Sequence, residues 1–402
     1  MIKRNLMGVN VKNNNWLRVM LLASMAISGS VYAVEYNGIE YTGSGFATLG
    51  LGKVLGGEQA VIQDYNCPCF ITDFAQGGIY EGNQGVQWKP DSKIGVQGSA
   101  SFPNQKFSVT GQVVSRGAQN GKVDLEWLYA SYKLKDGLTL NAGRKRLPMF
   151  YYSDTQDIGV ALPWAHLPAS VYGWEAVNYN GVDLGFQTQM SDWSASASVL
   201  AGKETVNDSS YWKLNANGRQ SRTEVKWDNI VGGNVTLSKD WFETRLVYIQ
   251  SDTKQNYANV VWNAGTQSYD PVTGPVYADS KQRIYGLTAN ADYQNWIART
   301  EFINIKHAGL GYEDFAQIVA VGYHYGKWQP LATWSRYKGV QIGDGTLPGT
   351  TGDQEFLTRT LTLRYDLTTS SDIKAQLDTL GERGVPYYGR SQLLSFTYDK
   401  VF

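Results

Sequence analysis

The sequence predicts an all-β fold, a transmembrane antiparallel β-barrel of sixteen strands. Three observations predict it. Apolar and polar residues alternate with period 2 over runs of roughly 8–14 residues, enough for a tilted strand to cross a bilayer. The connections between runs alternate between short and long. The N-terminus reads as an export signal, yet no later stretch reaches the ~18 continuous apolar residues of a membrane-spanning helix.

Lys3, Arg4, Lys12 and Arg18 are the only charges before residue 34. They precede the apolar run Val19 to Ile27, and the small residues Ser28, Gly29, Ser30 and Ala33 follow. A basic stretch, a short apolar core and small residues make a secretory signal. Cleavage is expected after Ala33, leaving 34–402 as one barrel. No linker or composition shift divides that stretch. The chain has 36 basic and 36 acidic residues, a formal net charge of zero. Removing the four signal bases leaves 32 against 36, a net of −4. That argues against a nucleic-acid partner. With no spanning helix, a closed barrel is the remaining way to satisfy backbone polar groups in lipid. Abundant Gly (43) and Tyr (26) fit it.

The alternation is plainest at 94–102, where Ile94, Val96, Gly98, Ala100 and Phe102 take one parity. Val182, Leu184 and Phe186 alternate with Asp183, Gly185 and Gln187, and Trp193, Ala195, Ala197 and Val199 with serines. The sixteen strands are expected at 39–52, 91–102, 105–116, 123–134, 138–147, 177–189, 192–202, 222–238, 241–255, 282–293, 296–307, 315–325, 328–338, 355–368, 371–381 and 391–402. At 296–306 the alternation is muddied by Arg299 and Glu301.

Short turns fall at Pro103-Asn104, Lys135-Asp136-Gly137, Met190-Ser191, Lys239-Asp240, Gln294-Asn295, Gly326-Lys327 and Thr369-Ser370. Most of the connections between them are long, including 53–90, 148–176, 203–221 and 256–281. Trp193, Trp241, Trp296 and Trp328 stand beside short turns, where a lipid–water boundary favours amphipathic rings. An even strand number lets the last strand pair with the first and removes the edges. Sixteen strands leave an aqueous interior where eight would be filled by side chains.

Cys67 and Cys69 flank Pro68. In an oxidising compartment they can pair locally, pair between molecules or stay free, and no functional role is expected for them.

The last run places Leu394, Phe396, Tyr398 and Phe402 on one face, with Lys400 where an apolar residue is common. This ending resembles the C-terminal assembly signal of outer-membrane proteins. Near a membrane rim a Lys can snorkel at small cost. The stretch from Leu125 to Tyr132, followed by Leu138 to Pro148 with Gly143-Arg144-Lys145-Arg146, is similar to the fourth and fifth strands of Gram-negative porins. The whole chain from residue 34 resembles porins of the sixteen-stranded type.

The resemblance implies an outer-membrane homotrimer, surrounded by lipid and lipopolysaccharide, each barrel passing small hydrophilic solutes without a cofactor. It also implies that the third external loop, 148–176, folds inward. Its acids Asp154, Asp157 and Glu175 would then face wall bases across a constriction, a workable selectivity device. Parity puts Arg116, Lys226, Asp183, Asp292, Lys374 and Asp378 on the polar face of their strands. Glu243, Arg245 and Arg336 share parity with apolar neighbours; Arg245 and Arg336 still count as constriction candidates. Arg144, Lys145 and Arg146 need care. Simple alternation points Lys145 inward and both Arg outward with Leu140 and Ala142, unless a bulge intervenes or the pair lies beyond the membrane edge.

The charge of −4 suggests a weak cation preference. A substrate-selective channel, an adhesin using the long loops and an outer-membrane enzyme are the alternatives. Only His166, His307 and His324 are available as imidazoles, and no Ser/His or paired-carboxylate arrangement ties them together.

Overall fold

The computed structural model describes residues 32–58, 64–256, 260–272, 277–342, 353–384 and 389–402. Most of the expected export signal, residues 1–31, lies outside the described residues.

Among these residues sixteen strands form a closed antiparallel barrel. They are β1 (Ile39–Gly57), β2 (Lys93–Ser101), β3 (Phe107–Arg116), β4 (Val123–Lys135), β5 (Leu138–Arg146), β6 (Asn178–Met190), β7 (Trp193–Val206) and β8 (Glu224–Lys239). The second half comprises β9 (Phe242–Asn256), β10 (Tyr277–Tyr293), β11 (Trp296–Ala308), β12 (Tyr312–Tyr323), β13 (Trp328–Gln341), β14 (Gln354–Thr368), β15 (Ser371–Gly384) and β16 (Ser391–Val401). Each pairs with its sequence neighbours, and β16 returns to β1, so no edge is left open. A short strand, Tyr32–Tyr36, folds back on the start of β1. Two small hairpins, Cys69–Asp73 with Gly78–Glu81 and Val260–Asn263 with Ser268–Pro271, stand on the long-loop rim.

Closure depends on the C-terminus. The Phe402 carbonyl accepts from the Gly45 N–H at 2.6 Å, and the Phe402 N–H donates back at 2.9 Å. The Phe402 ring lies where a side chain on residue 45 would stand: an added Cβ would meet it at 2.3 Å. Gly45 therefore admits the ring. Lys400 reaches Ser370 Oγ at 3.0 Å beside the β14–β15 turn, the snorkelled position expected of it.

The outer face carries the exposed apolar residues, among them Leu49, Val96, Leu246, Leu287, Phe302 and Phe396. Along the short-turn rim aromatic rings pair across strands: Trp296 with Tyr323, Trp241 with Tyr293 and Trp328 with Tyr365, at 5.0, 5.4 and 4.5 Å between centroids.

The inner face divides into two sectors. From β2 to β7 it is polar, with Gln97, Ser99, Gln112, Asn141, Asp183 and Ser196. From β8 to β13 it is mixed and carries an apolar cluster: Trp227, Ile249, Ile284, Ile305, Ile318 and Leu331 are buried together. Their partners come from the connection between β5 and β6. Leu147, Phe150, Tyr152, Leu162, Trp164, Val171, Tyr172 and Trp174 belong to the same cluster. This explains the muddied alternation in β11. Its inner parity runs Ile297, Arg299, Glu301, Ile303, Ile305 and His307, because it meets a packed segment rather than water.

Candidate functional site

The β5–β6 connection is tied to the inner face of strands on the other side of the barrel. Glu301 of β11 accepts from the Tyr151 N–H at 2.8 Å and from the Tyr172 hydroxyl. Trp164 Nε1 donates to Thr333 of β13 at 2.9 Å. Ser170 bonds Ser335, and the Ala165 N–H donates to Gln376 of β15. Arg364 of β14 donates to the carbonyls of Val160 and Leu162, both at 2.9 Å. Such satisfaction of backbone groups by wall side chains lets an irregular segment lie inside a protein.

His166 stands between two carboxylates. Its Nδ1 is 3.2 Å from Asp91 and its Nε2 3.1 Å from Asp378 of β15. Burial alone would lower the imidazole pKa, but the two carboxylates outweigh it and hold it up to about 10. Asp91 is also buried, which favours its neutral form. The charged His166 and the hydroxyls of Tyr80 and Thr72 nevertheless hold its pKa below the usual value.

The expected constriction residues separate into three groups. Asp157 is buried, and Arg116 Nη2 meets it at 2.7 Å while Arg146 closes on the same oxygen. Glu126 bridges both guanidiniums, at 2.6 Å to Arg116 and 3.0 Å to Arg146. Burial raises the Asp157 pKa, yet Arg116, Arg146 and Lys93 carry it well below the ordinary carboxylate range. Glu175 is buried and accepts from two indoles, Trp212 Nε1 at 2.6 Å and Trp227 Nε1 at 2.8 Å. Desolvation raises its pKa against those donors. Lys374 is buried beneath the connection, donating to the Gly159 carbonyl at 2.9 Å and paired with Asp399 at 2.7 Å and Asp372 at 2.8 Å. These side chains hold the connection in place.

A second group lines open space. A cavity of about 600 Å³ lies between the connection and the inner face of β4 to β9. Asp154 and Pro148 border it from the connection. Lys133, Lys145, Asp183, Ser196, Thr236 and Arg245 are among its wall residues. Lys145 pairs with Asp183 at 2.8 Å and lies 5.1 Å from the Tyr129 ring centre. Arg245 faces inward and donates to the Pro148 and Phe150 carbonyls at 3.0 and 3.4 Å. Its apolar neighbours of like parity, Val247 and Ile249, also face inward.

A third group corrects the sequence reading. Arg336 shares the outer parity of Ala332 and Trp334 and pairs with Glu355 at 2.8 Å, so it does not reach the interior. Lys226 also points outward, paired with Glu224 at 2.8 Å, because its neighbours Val225 and Trp227 are the inner residues of β8. At Lys226 the inner face is apolar, so polarity no longer marks the inside. At Arg336 it still does, with Gln329, Thr333 and Ser335 inside, and Arg336 follows the outward parity of its apolar neighbours. Arg144 stays on the outer side, bonded to Glu204 at 2.8 Å and to the Leu125 carbonyl. Lys145 turns inward, and Arg146, where the strand ends, turns inward too. Asp292 lies at the short-turn rim, paired with Arg299 at 2.8 Å. Cys67 and Cys69 are joined by a disulfide across Pro68. The structure adds Trp164, His166, Tyr172, Glu126 and Glu301, which the sequence reading did not assign to the site. For Trp164, His166 and Tyr172 the signal was available in the aromatic density of 148–176, which exceeds what a water-exposed loop needs, and for Glu301 in the broken alternation of β11.

The architecture is shared with solved structures. The outer-membrane channel DcaP of Acinetobacter baumannii matches with a TM-score of 0.57 at 8% identity, over 92% of this chain and 99% of that one. Salmonella typhi OmpF, solved in complex with daunomycin, matches at 0.55 and 13%, over 92% and 100%. An anion-selective porin from Comamonas acidovorans matches at 0.52 and 12%, over 90% and 100%. The chain has the fold of the sixteen-stranded porins. No protein-family model and no curated protein sequence matches it.

Proposed function

We propose that the chain, exported and trimmed to 34–402, is a porin of the Gram-negative outer membrane. It forms a water-filled channel for passive diffusion of small hydrophilic solutes. One observation carries this reading: a polar cavity of about 600 Å³ inside a closed barrel whose outer face is apolar. In this reading the β5–β6 connection folds into the barrel and narrows it. The short turns face the periplasm, and lipid and lipopolysaccharide surround the outer belt. The porin-like fold favours a homotrimer with one channel in each barrel.

The chemistry such a channel requires is spatial and electrostatic. The connection excludes water from one side by packing against β8 to β13. The other side stays lined by Ser, Thr, Asn, Lys and Asp side chains, which can replace part of a solute's hydration shell. Purified protein inserted in a planar bilayer should give stepwise conductance, in groups of three if the trimer forms. Barrels that insert and remain silent would refute the reading.

A further inference from the structure

The acids that the porin resemblance places at the constriction are largely withdrawn from it. From this we infer that the channel prefers small anions, with Lys133, Lys145 and Arg245 as the residues that set the preference. The inference rests on the channel reading above and names the solute class of that same cavity.

Asp157 is neutralised by Arg116 and Arg146, and Glu175 is enclosed by two indoles; neither borders the cavity. Asp183 does border it, but is buried and saturated. It accepts from Lys145, from Asn141 Nδ2 at 2.8 Å and from the Tyr179 hydroxyl at 2.9 Å. Asp154 is the acid of the connection that faces the cavity with its side chain exposed. Lys145 and Asp183 offset each other as a pair, and against Asp154 stand exposed Lys133 and partly exposed Arg245. Lys135 and Asp136 offset each other at the short-turn end of the same cavity. The balance inside is positive, although the chain from residue 34 onward carries a net of −4. Whole-chain charge does not decide selectivity, since charges farther off than a Debye length of ~10 Å at 0.1 M salt are screened while those on the cavity wall are not. A wall with surplus cations raises the local anion concentration.

The test uses the full barrel in planar bilayers under a potassium chloride gradient. The two ions have nearly equal mobility in water, so the reversal potential reads the charge of the protein. The wild type should pass chloride over potassium, roughly twofold or more at 0.1 M, with the ratio falling toward one at 1 M. Lys145→Gln should lower the ratio most, because it also leaves Asp183 without its cation. Lys133→Gln, at an exposed position that does not threaten folding, should lower it less, and Asp154→Asn should raise it. Conductance with potassium preferred, or a ratio that none of the three variants moves, overturns the inference and leaves the channel intact. An absence of conductance from inserted wild-type barrels overturns the channel reading itself.

Discussion

The two sides of the barrel interior are built from the same strand type but do opposite work. From β8 round to β16 the inner face is covered by the β5–β6 connection, through an apolar cluster that includes Trp164, Tyr172, Ile249 and Ile318 and a polar set that includes Glu301, Thr333 and Asp378. From β4 to β9 the face borders a cavity, with polar side chains such as Asn141, Ser196 and Thr236 on its wall. The two sectors overlap at β8 and β9, where the outer-rim end packs and the short-turn end stays open. The lesson is that a barrel can hold a long connection against its wall by giving part of its own inner face the composition of a core. Ion pairs alone would fix it poorly, since exposed ones are worth only ~0–1 kcal/mol. Here those of Asp157 and Lys374 are buried, where removing one partner costs far more, ~3–5 kcal/mol.

That contrast can be broken most directly at Trp164. Its indole is fully buried, packs edge-on against Tyr152 at 5.6 Å and bonds Thr333. Trp164→Ala should cost ~3–5 kcal/mol of docking or global stability. Thermal unfolding in detergent should show a lowered transition. Single-channel records should show a larger or noisier conductance as the connection loosens.

A smaller effect is expected from pH. His166 has its pKa raised to about 10 in the folded protein from an ordinary 6.5, so folding favours its charged form. Its contribution is complete below pH ~6.5, declines as pH rises, and is gone above pH ~10. Unfolding measured between pH 6 and 10 should show stability falling toward the alkaline end. His166→Gln should flatten that slope; an unchanged slope would remove His166 from the docking account.

The smallest change belongs to the open side. Ser196 lies on the inner face of β7 and borders the cavity. Ser196→Ala should shift stability by no more than about 0.5 kcal/mol. A loss comparable to that of Trp164→Ala would mean the open sector is packed after all.

How legible this was in the sequence depended on what each strand faces. In β2, β6 and β7 the outer face is apolar and the inner face polar, so period-2 polarity gives both the strand and its orientation. Asp183 was placed inward on that basis, and it lies there. In β8 and β9 the rule failed for Lys226 and Arg245; in β13 it held, and Arg336 was kept as a constriction candidate against its own parity. The inner face of β8 and β9 carries Val225, Trp227, Val247 and Ile249 against the connection, so Lys226 stands on the outer face near the rim while Arg245 shares the inner face with apolar residues. Arg146 escaped for a different reason: alternation holds only while a strand continues, and β5 ends at that residue.

By itself the sequence determined the strands, their order and the closed barrel. Alternation, turn residues and the Phe402 ending are local properties, each written within a dozen or so residues. Strand boundaries moved by a few residues, mainly where β1, β7, β10, β13 and β15 run further into the long-loop rim. Only the tertiary structure decided which charges meet the cavity and which are consumed in holding the connection. Asp154 and Asp157 lie three residues apart on one segment, yet one faces open space and the other lies between Arg116 and Arg146. That difference arises from contacts with strands that are distant in sequence, so no local pattern encodes it.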